Sequence, residues 1–370
     1  MFTQCHPEPR NKSGINSENE VDIRYLATCC LSRVRFEGAG SSNWILRLKW
    51  LGMTRCRTFA RSALAALFAL CILWPAQTFA ASDLRKQMMH DMKKCGSTTE
   101  EVTCVVEGKD GWLFLQESLL DAVTPWHDNT PQIIAFKDSL EARGIKLIVI
   151  PVPDKLLVVP EQYSDKAKKG INLPQYKKWV DKLRKKNVTV IDALDKIKEL
   201  HKNLGNETPM FEPYESHCTG PARLVLAKMA TDSIAPLLYG MNRKRYPLHD
   251  TIVDGTGNLY DLLHGEEIEY KIKEQKVLGT DGYKYRGSKK APIIVIGDSN
   301  AGQGKSYGAH IGAYIAMATS VETFTISKVG GGNIGPQMFK GKTKFLEDKK
   351  AVVWVFDGRE LYGHFKAPEF

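Results

Sequence analysis

Apolar residues along this chain fall into two repeating patterns, helical spacing and short continuous runs. Ile133, Ile134, Phe136 and Leu140 recur at helical spacing, and the continuous apolar run Ile145–Val152 follows them. A continuous run after a helix is typical of a strand buried in a parallel sheet. The alternation continues to the C-terminus. It predicts helices at 132–143, 173–186, 222–238, 307–317 and 336–345, and strands at 145–152, 188–191, 293–296, 321–326 and 351–356.

Alternating helices and buried strands predict an α/β sandwich with a mainly parallel central sheet. In such sheets, chemistry collects at the carboxyl ends of the strands. Residues 240–290 are polar and rich in turn residues, so we interpret them as a surface excursion between the two halves of the sheet. With 43% hydrophobic and 25% charged residues, the composition is that of an ordinary globular protein.

The segment 53–80 has the three parts of a secretory signal peptide. Three arginines precede a short apolar run, and small residues follow up to a predicted cleavage site after Ala80. We therefore interpret Met53 as the initiator, residues 1–52 as a non-native upstream extension, and 81–370 as one exported domain in the periplasm. The run Ser62–Trp74 is shorter than the about 20 residues that span a bilayer. An uncleaved inner-membrane anchor is the alternative, because apolar character continues to Ala81 with one proline break.

The net charge of +10 does not indicate nucleic-acid binding. Half of it falls in residues 1–80, and the remaining lysines lie beside acidic residues or apolar segments. No zinc-finger spacing, RNA-binding aromatic signature or basic-zipper pattern is present in the sequence. A basic groove for an acidic polysaccharide is the alternative to a solvated surface. Metal-ligand spacing is also absent, and Gly330–Gly332 lacks the Lys-Ser/Thr of a phosphate-binding loop, so we expect neither metal nor cofactor.

Export changes the interpretation of the cysteines. An oxidising compartment permits a disulfide between Cys95 and Cys104, which would close a short polar loop. Cys218 would then be left as a buried apolar residue, or it would pair with one of the other two.

Ser299 is the candidate nucleophile. It follows the β-branched run Ile293–Ile296 through Gly297 and Asp298, and small residues follow it. The serine would lie at a strand end and a helix N-terminus, where free N–H groups can stabilise an oxyanion. A capping role for Asp298 or Ser299 is the structural alternative.

A serine nucleophile needs a base and a group that orients the base, and the sequence offers two sets. In the first, Glu215 lies two residues before His217, and residues i and i+2 of an extended segment face the same way. In the second, Asp357 and His364 follow the last strand, at a spacing of seven residues.

The order of several motifs resembles the alginate O-acetyltransferase group of SGNH-like proteins, the AlgX/AlgJ type. The resemblance covers most of residues 105–365. It is carried by Gly108-Lys109-Asp110-Gly111-Trp112-Leu113-Phe114, Arg143-Gly144-Ile145 through Pro151-Val152-Pro153-Asp154-Lys155 and Pro160-Glu161, Glu215-Ser216-His217-Cys218-Thr219, Gly257-Asn258-Leu259-Tyr260-Asp261-Leu262-Leu263, Gly297-Asp298-Ser299, Gly330–Gly332, and Val352-Val353-Trp354 with Arg359-Glu360-Leu361.

The resemblance implies an SGNH-hydrolase-like three-layer sandwich and a base upstream of the serine, which favours His217 over His364. It also implies an acetyl supply from a membrane-bound O-acyltransferase and a polysaccharide acceptor. Two residues depart from the family pattern: Glu215 replaces the usual aspartate, and Cys218 replaces the usual tryptophan.

The hypothesis is a periplasmic O-acetyltransferase in which His217, oriented by Glu215, deprotonates Ser299. An amide of Asn333 or Gly332 would assist the Ser299 amide in the oxyanion hole. Lys328, Tyr307 and Arg359 are candidate substrate contacts. The alternatives are a carbohydrate esterase on the same scaffold and a non-catalytic polysaccharide-binding component of an export complex.

Overall fold

The computed structural model describes residues 83–96, 104–168, 171, 174–255 and 257–369. The predicted upstream extension 1–52 and signal peptide 53–80 lie outside these residues. Within the described part of the chain, no helix is long and apolar enough to cross a membrane.

Nine strands and twelve α-helices are numbered here in chain order over the described residues. The strands are β1 Val105–Glu107, β2 Leu113–Leu115, β3 Lys146–Val152, β4 Thr189–Val190, β5 Leu248–Asp254, β6 Lys271–Val277, β7 Ile293–Gly297, β8 Thr323–Ser327 and β9 Ala351–Asp357. The helices are α1 at 83–91, α2 Gln116–Val123, α3 Thr130–Glu141, α4 Lys155–Val158, α5 Pro160–Tyr163, α6 Asp165–Lys168, α7 Pro174–Arg184, α8 Leu194–Leu204, α9 Gly220–Ile234, α10 Asn258–His264, α11 Ser299–Gly302 and α12 Ile311–Thr319. Shorter 3₁₀ turns are Gly205–Glu207, Ala235–Leu238, Gly332–Gln337, Thr343–Leu346 and Gly358–Tyr362.

The core of the fold is a five-stranded sheet in the order β4-β3-β9-β7-β8, and every pair in it is parallel. β7 and β9 are buried along their whole length, which explains why their sequences are continuous apolar runs. The predicted fold class is therefore confirmed. β9, the last strand of the chain, lies between β3 and β7, so the carboxyl ends of β3, β9 and β7 are neighbours.

Helices cover both faces of this sheet. On one face, α12 packs so closely that a Cβ on Gly312 would lie 2.2 Å from Thr325 Oγ1. Thr325 is in register, through β7, with Val353 of β9. On the other face, the Phe136 ring of α3 lies 5.7 Å from the ring of Trp354, the next residue of β9. Because successive strand residues face opposite sides, the two contacts define three layers.

The predicted helix 336–345 is wrong. Two 3₁₀ turns, Gly332–Gln337 and Thr343–Leu346, occupy this region. A Cβ on Gly335 would lie 2.2 Å from the indole nitrogen of Trp354 in β9. The turn therefore follows the sheet surface too closely for a helix. Gly341, at φ +65°, then reverses the chain direction.

The predicted helix 307–317 begins later than expected, at Ile311. Gly308 adopts φ +86°, and a Cβ there would lie 2.8 Å from Val277 O of β6. The chain therefore passes the end of a neighbouring strand before it enters the helix. The other predicted helices and strands are present, with bounds shifted by a few residues.

Two smaller antiparallel pairs flank the core. β1 pairs with β2, and β5 pairs with β6 over seven residues each, from Leu248 opposite Val277 to Asp254 opposite Lys271. The paired strands β5 and β6, with α10 between them along the chain, lie within 240–290, the segment interpreted as a surface excursion. Ahead of β1, a disulfide joins Cys95 to Cys104.

Candidate active site

Ser299 lies at the carboxyl end of β7, as the first residue of α11. The strand approaches β9 closely at Gly297, where a Cβ would lie 1.8 Å from Val355 O. Ser299 is half-buried. Its amide comes at the start of a helix, where N–H groups have no acceptor within the helix. The serine hydroxyl is therefore beside an amide that can donate to a bound oxyanion.

Asp298 holds this turn in place. One carboxylate oxygen accepts from the Asn300 amide at 2.8 Å, which caps α11, and the other accepts from the Asp357 amide at 2.6 Å. Asp298 is buried, and burial together with the charge of Asp357 raises its pKa to about 6. The aspartate thus links the ends of β7 and β9 and positions Ser299.

Glu215 and His217 form a hydrogen-bonded pair in the loop before α9. Glu215 Oε1 lies 2.5 Å from His217 Nδ1 and also accepts from the amides of Ser216, at 2.9 Å, and His217, at 3.2 Å. A carboxylate only accepts hydrogen bonds, so Nδ1 carries the proton and Nε2 is left with a lone pair. The Glu215 side chain is 6% exposed and that of His217 is 13% exposed. This is the arrangement of a general base with its orienting carboxylate.

Asn258, at the start of α10, holds the same loop from outside. Its Oδ1 accepts from the Ser216 amide and its Nδ2 donates to Ser216 Oγ, both at 2.8 Å. The Leu259 amide donates to Tyr214 O at 3.0 Å. The segment after β5 therefore fixes the loop of the Glu215–His217 pair by three hydrogen bonds.

The loop before α9, called the histidine loop here, and the segment that follows α11 line one cavity of about 90 Å³. Its lining includes His217, Gln303 and Tyr307, whereas Ser299 is not among the described residues that line it. The Gln303 amide, one turn after Ser299, donates to Ser299 O at 2.7 Å. Between these described residues, no hydrogen bond joins the His217 ring to the Ser299 hydroxyl. Catalytic hydrogen bonds commonly tighten only when substrate binds.

Arg223 of α9 and Glu274 of β6 form a buried ion pair that lines the same cavity, with Nη2 and Oε1 2.8 Å apart. Arg223 also donates to Cys218 O at 2.5 Å and to Ala309 O at 2.9 Å. Glu274 accepts from the Gly220 amide at 3.1 Å. The ion pair therefore joins β6 to α9, the helix that follows the histidine loop.

The neighbouring strand ends carry a buried acidic network around one arginine. Arg359 forms an ion pair with Asp357 and lies 3.9 Å from Asp154, which follows β3. Asn300 Nδ2 donates to Asp357 Oδ2 at 3.0 Å, and the Ser118 hydroxyl donates to Asp154 at 2.7 Å. Burial, together with the charge of Asp357, raises the pKa of Asp154 to about 6. The network braces the strand ends beneath the serine.

A family model decides where this fold and site belong. The model described as "SGNH hydrolase-like domain, acetyltransferase AlgX" matches residues 105–357, from β1 to the end of β9. The chain belongs to this family. The matched range includes Glu215, His217 and Ser299.

Individual relatives agree with the family assignment. The probable alginate O-acetylase AlgJ of Pseudomonas syringae pv. tomato is 32% identical over 94 residues, which are 24% of this chain and 24% of that protein. The chain thus spans about a quarter of this curated relative. The O-acetyltransferase domain of Pseudomonas putida AlgJ superposes with a TM-score of 0.55 at 18% identity, covering 71% of this chain and 94% of that one. Pseudomonas aeruginosa AlgX gives 0.53 at 18% identity, covering 70% and 65%. The two structures share the fold.

The second candidate base, His364, forms no hydrogen bond with its predicted partner Asp357 among the described residues. The His364 ring is exposed and stacks on the His127 ring, with centroids 3.5 Å apart. Asp357 instead accepts from Arg359 and Asn300. Of the two sets predicted from the sequence, only Glu215 and His217 are brought together.

Three of the remaining predicted site residues, Lys328, Gly332 and Asn333, follow β8, the neighbour of β7 in the sheet. Gly332 is buried, and a Cβ there would be 3.2 Å from Asp298 Oδ2. Asn333 accepts from the Lys366 amide at 2.9 Å, and Lys328 is exposed while its amide donates to Gly297 O at 3.0 Å. Their oxyanion and substrate roles stay predictions, as do those of Tyr307 and Arg359.

Two further residues around the site were not identified from the sequence: Asn258 and Arg223. Each acts across a long sequence separation. Cys218 is buried and free, and burial raises its pKa to about 12, so its thiol is a poor nucleophile. Among the described residues, no group of three or more His, Cys, Asp or Glu side chains is placed to hold a metal ion.

Proposed function

We propose that this protein is a periplasmic O-acetyltransferase that transfers acetyl groups to hydroxyls of an exported, alginate-like polysaccharide through an acetyl-enzyme on Ser299. The observation that carries the proposal is the 2.5 Å contact between Glu215 and His217, on a cavity that is also lined by Gln303 and Gly304, which directly follow the helix of Ser299. Membership of an SGNH-like acetyltransferase family supports the same reaction.

The first half-reaction loads the enzyme. His217 Nε2 takes the Ser299 hydroxyl proton as Oγ attacks the carbonyl carbon of an acetyl donor. The Ser299 amide, with an amide of Gly332 or Asn333, stabilises the oxyanion. The intermediate collapses as the donor's leaving group takes the proton from His217, which leaves acetyl-Ser299. Glu215 stabilises the transient imidazolium.

The second half-reaction delivers the acetyl group. A sugar hydroxyl gives its proton to His217, and its oxygen attacks the acetyl carbonyl. The new ester leaves as Ser299 regains its proton. Water in place of the sugar would make the same site an esterase.

The substrate and location are part of the proposal. An alginate-like acceptor is supported by the name of the curated relative, a probable alginate O-acetylase. Exposed Lys328 and cavity-lining Tyr307 are proposed to contact the acceptor. A membrane-bound O-acyltransferase would supply acetyl groups, and the segment 53–80 would direct export.

The test is to incubate the purified protein with a chromogenic acetyl ester, with and without oligomannuronate, and to follow both ester cleavage and acetylated sugar. We expect acetylated sugar, and mass spectrometry of the quenched enzyme should show one acetyl group on Ser299. Ser299→Ala should abolish both signals. Acetate released without acetylated sugar would favour the esterase. Turnover unchanged in Ser299→Ala would refute the serine mechanism, and glycan binding without turnover would favour the non-catalytic component.

A further inference from the structure

Lys155 is a buried lysine with no role in the steps above. It is the first residue of α4, directly after β3 and Asp154, and it is 3% exposed. Burial of an ammonium group is costly unless every proton finds an acceptor. The surroundings of Lys155 therefore indicate what the charge does.

All three protons of the Lys155 ammonium have backbone acceptors. Nζ lies 2.8 Å from Leu113 O, 2.8 Å from Pro213 O and 3.1 Å from Glu215 O. The rings of Trp112 and Phe114 lie 5.0 and 5.2 Å from Nζ, within cation–π range. An ammonium has three N–H donors, whereas a neutral amine has two, so only the charged form can donate to all three carbonyls.

Two of these three carbonyls belong to the loop that carries the Glu215–His217 pair. The third carbonyl is that of Leu113 in β2. The Leu113 amide in turn donates to Pro213 O at 3.0 Å. Lys155 thus joins the end of β3, strand β2 and the loop at one point. Glu215 is held on both sides: its carboxylate orients His217, while its carbonyl accepts from Lys155.

The charge of Lys155 lies among the carboxylates of Glu215, Asp154 and Glu212. Burial lowers its pKa to about 7, and the charges of Glu215, Asp154 and Glu212 act in the opposite direction. The hydrogen bonds of the ammonium go to backbone carbonyls of β2 and of the loop that carries Glu215.

We propose that Lys155 is a positioning residue that fixes the loop of Glu215 and His217 against the carboxyl end of β3 and so sets the geometry of the catalytic pair. This inference rests on the proposed function. It assigns to the buried ammonium the control of where His217 Nε2 points relative to Ser299.

The test substitution is Lys155→Met, which keeps the apolar stem and removes the three donors. Lys349→Met is the matched control, because Lys349 is also buried, donates to Lys289 O at 2.8 Å and lies 5.0 Å from the Phe345 ring. We expect Lys155→Met to lower kcat for acetyl-ester cleavage about 100-fold, the scale of a misplaced catalytic group, with little change in KM. Lys349→Met should leave both constants unchanged.

A spectroscopic measurement separates positioning from general damage. The proton between His217 Nδ1 and Glu215 should give a downfield proton NMR resonance, assigned by its loss in His217→Gln. We expect Lys155→Met to shift or broaden this resonance and Lys349→Met to preserve it. Should Lys155→Met fail to fold, Lys155→Arg serves instead, because it keeps the charge but its planar fork cannot direct three donors at these carbonyls.

The inference would be overturned if the Lys155 variant that folds has the wild-type kcat and an unchanged His217 resonance. Ser299→Ala distinguishes this failure from that of the proposed function. If Ser299→Ala is inactive while Lys155→Met retains full turnover, only the inference about Lys155 fails. If Ser299→Ala retains turnover, the serine mechanism itself fails, and the NMR comparison still tests whether Lys155 holds the pair.

Discussion

Replacing Glu215 by glutamine tests the catalytic pair most directly, because it removes the charge and keeps the shape. The amide oxygen of glutamine can still accept from His217 Nδ1 and from the amides of Ser216 and His217. The imidazolium that forms during proton transfer, however, loses its counter-charge. Two unit charges about 4 Å apart interact by about 4 kcal/mol at an effective dielectric constant of about 20. Since each 1.36 kcal/mol is tenfold in rate, we expect acetylation of Ser299 to slow by about 10³-fold.

The assay is a single-turnover measurement of acetyl-Ser299 formation from a chromogenic ester. Glu161→Gln is the matched control, because Glu161 Oε1 lies 3.0 Å from His201 Nε2 in a second glutamate–histidine pair, and neither residue lines the cavity. The control should acetylate at the wild-type rate. The reasoning is refuted if Glu215→Gln, folded as judged by circular dichroism, loses less than about tenfold in rate, a loss far below the Coulomb estimate.

Three other predictions concern residues around the site. Asn258→Ala removes two hydrogen bonds to the buried Ser216 and should lower kcat about tenfold, with a loss of about 1–3 kcal/mol in the free energy of unfolding because buried polar groups lose a partner; an unchanged kcat would contradict it. Arg223→Met and Glu274→Gln each break the buried ion pair, and each should lower the free energy of unfolding by about 3–5 kcal/mol. The double variant should lose less than the sum of the two, as measured by urea denaturation. Burial, with the charges of Asp154 and Asp357, raises the pKa of Asp121 to about 9. Folded Asp121 therefore keeps its proton where the unfolded chain has lost it, and wild-type stability should fall as pH rises from about 4 to about 9, by at most about 1.4 kcal/mol per unit. Asp121→Asn should flatten this dependence, and parallel stability curves for the two proteins would contradict the prediction.

The parts of the fold encoded by short segments could be predicted from the sequence. The strand before Ser299 is a continuous β-branched run, and Gly297 and Asp298 form the turn within three residues. Glu215 and His217 are two residues apart, so their pairing also needs little beyond local geometry. The helix predicted at 336–345 failed because the close approach to Trp354 depends on a strand that comes later in the chain.

The support of the site could not be predicted from local patterns. Lys155 reaches a carbonyl 60 residues away, and Asn258 reaches a loop 42 residues upstream. The ion pair of Arg223 and Glu274 spans 51 residues. The insertion of β9 between β3 and β7 is likewise a matter of topology. A lysine after a strand is ordinarily a surface residue, and nothing in its neighbours along the chain indicates burial.

The two residues expected from the resemblance to depart from the family pattern, Glu215 and Cys218, lie on one loop, and its backbone contacts both. The longer Glu215 side chain folds back so that one oxygen accepts from two amides of its own loop and still reaches His217 at 2.5 Å. At position 218 the side chain is small and buried, and the residue is held through its backbone: Phe211 and Cys218 form an antiparallel bridge, and Arg223 donates to Cys218 O. Because Lys155 holds the loop at the opposite end, the geometry of the pair depends on buried backbone hydrogen bonds rather than on the volume of the side chain at 218. A loop fixed in this way can keep His217 oriented with a small residue at position 218, and Cys218 itself lines the cavity.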